Sequence, residues 1–67
     1  MKVVVIDNNT QEVIIYNISK EDENWMKESI QDLSEIIEEM LCNQEHKLSE
    51  VSWMILSDEF QIKFKEM

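Results

Sequence analysis

Residues 3–16 read VVVIDNNTQEVIIY, in which two runs of mostly β-branched residues flank a polar linker. Such runs on either side of turn-forming asparagines predict a β-hairpin. We expect a four-residue loop, Asn8–Gln11, because it sets apolar residues opposite apolar residues on both faces of the hairpin, whereas a two-residue loop at Asn8 and Asn9 does not. The predicted pairs are Val3–Tyr16, Val4–Ile15, Val5–Ile14 and Ile6–Val13.

The middle of the chain predicts one long amphipathic helix, from Lys20 to about Cys42. Ser19 is a suitable N-cap, and acidic residues fill the first turn, where the helix dipole favours them. The apolar residues of the segment recur at helical spacing and form one stripe. They are Trp25, Met26, Ile30, Leu33, Ile36, Ile37, Met40 and Leu41.

The last third of the chain predicts a second hairpin, with a tight turn at Ser57 and Asp58. Its apolar residues alternate with polar ones, and the turn aligns them on one face. The predicted pairs are Val51–Phe64, Trp53–Ile62 and Ile55–Phe60. The elements together predict a single α+β domain over residues 1–67, with the order ββαββ and a four-stranded, largely antiparallel sheet carrying one amphipathic helix on one face.

One helix covers only one face of such a sheet, and the first hairpin is apolar on both. We expect the uncovered outer face to carry Val3, Val5, Ile14 and Tyr16, with Met54 and Leu56 beside them. Apolar patches of this kind mark interfaces, and a homodimer is the simplest form of association. The alternatives are a covering loop around Leu48 or a strongly coiled sheet.

The charge is strongly negative, with 15 acidic residues against 6 basic ones and a net charge of -9. Residues 21–45 hold nine acids and one base, Lys27. A surface of this sign repels nucleic acid and anionic membranes, so neither is an expected direct partner. A protein with a basic surface is the expected partner instead.

Four of these acids fall on one ridge of the predicted helix, opposite its apolar stripe. They are Glu28, Asp32, Glu35 and Glu39. Their spacing of about 5–6 Å resembles that of phosphates along a DNA strand, so the ridge is a candidate nucleic-acid mimic. The plain alternative is an ordinary solvated helix face.

No motif for catalysis, metal binding or a cofactor is present, and we expect none of these. Cys42 and His46 lie four residues apart, but two ligands do not make a zinc site, and no third group completes a catalytic set. The lone cysteine and the absence of a signal or membrane-spanning run predict a cytoplasmic protein.

Two hypotheses follow. The first is a non-enzymatic acidic module, an inhibitor or regulator of the phage or mobile-element type, that occupies a basic, nucleic-acid-binding surface of a partner. The second is a homo-oligomeric assembly protein that associates through the outer sheet face, with the acidic helix serving solubility.

Overall fold

The computed structural model describes residues 1–67. Its elements are β1 Lys2–Asp7, β2 Glu12–Asn17, α1 Lys20–Glu28, α2 Leu33–Asn43 and β3 Val51–Leu56, with a short 3-10 turn at Leu48–Glu50. The α+β class holds, but the predicted four-stranded sheet with one helix is wrong. The sheet has three antiparallel strands in the order β2-β1-β3, and there are two helices. Neither helix has the length and apolar character needed to cross a membrane.

The first hairpin has the predicted register. All four predicted pairs form, from Val3 opposite Tyr16 to Ile6 opposite Val13. The loop is held by Asp7, whose Oδ1 accepts hydrogen bonds from the backbone N–H groups of Asn9 (2.9 Å) and Thr10 (3.1 Å). This is the short-range bonding that makes aspartate and asparagine turn formers.

The single long helix is wrong, because the chain breaks between Glu28 and Leu33. Ser19 caps α1 as expected, accepting a hydrogen bond from the Asp22 N–H at 3.2 Å. One helix over residues 20–42 would be about 34 Å long, whereas a six-residue strand spans about 20 Å. Two shorter helices keep the apolar side chains over the sheet, and Ile30 in the connection is left fully exposed.

The second hairpin does not form. Strand β3 pairs with β1 instead, and the predicted partners Phe60, Ile62 and Phe64 lie in an irregular, exposed C-terminal segment. Beside β1, strand β3 packs Trp53 and Val51 against the core.

The core lies between the sheet and the helices. Val3 and Val5 of β1 and Ile37 and Leu41 of α2 are completely buried, with Ile14, Tyr16 and other partly buried residues packed against them. The expectation that Val3, Val5, Ile14 and Tyr16 form the outer face is therefore wrong. They form the inner face, and alternate residues of the same strands face outward.

Candidate functional site

The acidic residues are divided between two helices and their connection rather than lying along one helix, so the predicted four-residue ridge is not formed. Glu28 ends α1, and Asp32 is the extended N-cap residue of α2. Only Glu35 and Glu39 share a helix, one turn apart on α2. The row that would imitate a DNA strand is interrupted, although the helical layer as a whole keeps the charge concentrated in residues 21–45.

A groove of about 400 Å³ runs between α1 and α2. Its apolar wall consists of Trp25, Met26, Ile36 and Met40, and the remaining lining residues are polar. Trp25 is 64% exposed, so a large aromatic side chain stands open at the groove. Glu39 lines the groove directly, bringing a carboxylate of the predicted ridge beside this apolar surface.

The second feature is a buried polar network on the inner face of the sheet. His46 Nδ1 lies 2.6 Å from Asp7 Oδ2, and the Tyr16 hydroxyl lies 2.7 Å from His46 Nε2. An ionised Asp7 is an acceptor only, so Nδ1–H donates to it. In the neutral imidazole Nε2 then accepts, and the Tyr16 O–H donates.

The network shifts the acidity of Asp7. The hydrogen bond from His46 lowers the pKa of Asp7, burial opposes this, and the N–H groups of Thr10 and Asn9 lower it further. Every fully buried side-chain nitrogen and oxygen in the chain has a hydrogen-bond partner. The arrangement therefore joins the end of β1, strand β2 and the segment after α2 without leaving a buried polar group unsatisfied.

This network fits a structural role better than a reactive one. None of the three clefts in the molecule is lined by Asp7, Tyr16 or His46, and the hydrogen bonds of the network join two strands to the segment after α2. Cys42, four residues before His46, is exposed, whereas the two ring nitrogens of His46 are hydrogen-bonded to Asp7 and Tyr16. No group of three potential metal ligands is present.

Sequence reasoning missed this network although a signal for it was present. Asp7 and Tyr16 lie on the same face of the predicted hairpin as Val3 and Val5, and the chain has one histidine. A carboxylate and a hydroxyl on one strand face need a buried partner if that face is covered, and His46 was the available candidate.

The largest cleft, of about 640 Å³, lies between the start of α1 and the end of β3. Its carboxylates are already engaged: the Met1 ammonium lies 2.7 Å from Asp58 Oδ1 and 3.8 Å from Glu23 Oε2. Lys27 also pairs with Glu23 at 3.2 Å. The Met1 ammonium, Lys27 and the two carboxylates at this cleft thus pair with one another.

The third feature is the outer face of the sheet. It carries Val4, Ile6, Val13, Ile15 and Met54, with Lys2, Asn17, Ser52 and Leu56 completing the face. Three of its apolar side chains are largely open: Ile6 is 48%, Met54 63% and Val13 66% exposed. No carboxylate lies on this face, although the chain has 15.

No protein-family model matches the chain, and no curated protein or solved structure matches it either.

Proposed function

We propose that this chain is a non-enzymatic protein-binding module whose helical layer engages a basic surface of a partner protein, in the manner of a small inhibitor or regulator. The observation that carries the proposal is the groove between α1 and α2. It combines an open apolar wall, including Trp25, with the most acidic segment of the chain.

The groove defines the chemistry of the partner. An apolar anchor residue gains most by covering Trp25, Met26 and Met40, and methionines adapt readily to the shape of an incoming side chain. Lysines or arginines beside that anchor meet Glu39 and the neighbouring acids. A basic amphipathic segment of a partner satisfies both requirements.

The net charge of -9 acts on the rate of association as well as on contact. Opposite charges steer encounter and fix orientation, and their effect weakens as salt rises. Surfaces that bind nucleic acid are basic, so a nucleic-acid-binding protein is a suitable target. An interrupted acidic row is sufficient here, because the proposal requires negative potential rather than phosphate spacing. A cytoplasmic location, suggested by the exposed free thiol of Cys42, belongs to the same proposal.

A designed helical peptide with leucine on one face and arginine on the other tests the proposal. Titration calorimetry should detect binding that weakens steeply with salt. Glu39→Lys should weaken it about tenfold, which is about 1.4 kcal/mol. Trp25→Ala should weaken binding without changing charge, and the exposure of Trp25 makes the substitution compatible with folding.

Glu59→Lys is the matched control. Glu59 is exposed in the C-terminal segment, and its substitution changes the net charge by the same amount as Glu39→Lys. Equal weakening by both substitutions would show that only overall charge matters. Equal binding of an arginine-rich peptide without leucine would show that the apolar groove has no part, and either result overturns the proposal.

A further inference from the structure

We propose that the outer face of the sheet is the contact surface between two copies of this chain, which form a homodimer by stacking their sheets. The surface consists of Val4, Ile6, Val13, Ile15 and Met54. Met54 was expected on the outer face, whereas the four hairpin residues are those of the face opposite to the one expected from the sequence. This inference does not depend on the proposed function, because the groove lies on the helical side of the molecule.

The exposed apolar residues form one continuous patch. Val4 of the central strand lies between Ile15 on β2 and Met54 on β3, and Ile6 lies opposite Val13. A shallow depression of about 130 Å³ beside Val4, Ile6 and Met54 adds relief into which a side chain can insert. Contiguous apolar surface that spans all three strands is typical of an interface rather than of scattered surface residues.

The distribution of charge selects a second copy as the occupant. A basic partner would find no carboxylate on the outer face, whereas another copy brings a matching apolar surface whose one charged residue is Lys2. Stacked sheets lie about 10 Å apart, and each helical layer adds about 10 Å more. The two acidic layers would then be about 30 Å apart, well beyond the screening length of about 8 Å at physiological salt.

The size of the face sets the strength of the dimer. Three neighbouring strands of six residues cover roughly 14 × 20 Å, a projected area of about 280 Å², which is below the roughly 800 Å² per partner that is usual for specific interfaces. We therefore expect weak association, at high micromolar concentrations, rather than a permanent dimer. A two-fold axis between the stacked sheets makes the contact isologous, so both copies contribute the same residues.

Sedimentation equilibrium of the full chain over a range of concentrations tests the proposal. The apparent mass should rise from the chain mass of 8.1 kDa toward twice that value. Val13→Lys and Met54→Lys, on opposite edge strands, should each weaken association at least tenfold. Each makes the chain less negative, so added repulsion between acidic chains cannot account for the loss.

Ile30→Lys is the matched control, because Ile30 is also an exposed apolar residue but lies in the connection between the helices. It should leave association unchanged, and circular dichroism should show all three variants folded. A wild-type chain that stays monomeric overturns the proposal. So does a dimer that survives both sheet substitutions, which would place the contact elsewhere, such as the free edges of β2 and β3.

One further variant tests whether the C-terminal segment, rather than a second copy, covers the outer face. Phe60 and Phe64 in the C-terminal segment are exposed apolar residues that could cover the outer face of their own chain. A chain ending at Asp58 should associate as the wild type does. If removal of residues 59–67 turns a monomer into a dimer, the C-terminal segment is the occupant and the proposal fails.

Discussion

The two faces of the sheet are built from alternate residues of the same strands, yet one face is buried and the other is exposed. Val3 and Val5 are completely buried beneath α2, whereas Ile6 and Val13 on the other face remain largely open. Both faces are apolar, so hydrophobicity alone does not decide which one the helices cover. We infer that polar residues on the same strand face as the apolar ones help to determine which face of the sheet the helices cover.

Asp7 is the residue that distinguishes the inner face. It continues the alternation of Val3 and Val5, and its carboxylate is satisfied by His46 and by the loop N–H groups. Tyr16, on the same face of β2, completes the network. A covered face tolerates polar groups only when they satisfy one another, and this one does. The network then fixes the segment after α2 against the hairpin.

The comparison is tested most strongly by making the same substitution on each face. Val5→Ala removes fully buried methyl groups and leaves a cavity, so it should reduce the free energy of unfolding by about 2–3 kcal/mol. Val13→Ala, on the open face, should cost less than about 0.5 kcal/mol. Urea unfolding followed by tryptophan fluorescence measures both. Comparable losses would show that the two faces are not distinguished in solution.

The register of the first hairpin could be predicted because it depends on neighbours in the sequence. The loop Asn8–Gln11 and the apolar pairs on either side of it define one pairing, and the structure has that pairing. The orientation of the hairpin could not be read in the same way. It depends on contact between Asp7 and His46, which are 39 residues apart in the chain.

The neighbour of β3 is also set by long-range contacts, whereas the break between the helices has a local signal. The apolar stripe runs through Ile30 without glycine or proline, but Asp32, with Glu35 three residues later, is typical of the start of a new helix. The alternation of Val51, Trp53 and Ile55 predicts a strand but does not identify its partner. Of the predicted ridge, only Glu35 and Glu39 keep their helical relation, because it lies within α2.

Tyr16→Phe tests the hydrogen-bonded network of the inner face, with a smaller expected effect on stability. The substitution keeps the ring but removes the hydroxyl bound to His46 Nε2, so a buried nitrogen loses its partner. We expect a loss of about 1–2 kcal/mol in the free energy of unfolding by urea. Ser52→Ala, which removes an exposed hydroxyl from the outer face, should have no measurable effect. An unchanged Tyr16→Phe variant would contradict the network.

Lowering the pH should reduce the stability that Asp7 contributes on the inner face. Since the pKa of Asp7 is lowered by its hydrogen bond to His46, ionised Asp7 stabilises the fold above the ordinary aspartate pKa of 3.8. This contribution is lost as the pH falls through the lower pKa of the folded state. The urea midpoint of the wild type should therefore fall more steeply below pH 3.8 than that of Asp7→Asn.

The difference between the wild type and Asp7→Asn separates the contribution of Asp7 to stability from those of the other acidic residues. The pKa of Asp58 is also lowered, by its hydrogen bond to the Met1 ammonium, but Asp58 is present in both proteins. Parallel pH profiles for wild type and Asp7→Asn would mean that Asp7 is not held in its ionised form by the fold.

The smallest expected effect concerns the backbone that brings His46 to the inner face. Glu45 has a φ of 66°, a left-handed conformation that costs a residue with a Cβ about 1 kcal/mol or more. Glu45→Gly removes this cost but adds freedom to the unfolded chain, so a net gain of about 0.5 kcal/mol is expected in urea unfolding. Glu45→Gln removes the same charge and keeps the Cβ, so it should give no gain. If Glu45→Gln stabilises equally, relief of acidic repulsion is the cause; if neither does, the left-handed turn before His46 is not a source of strain.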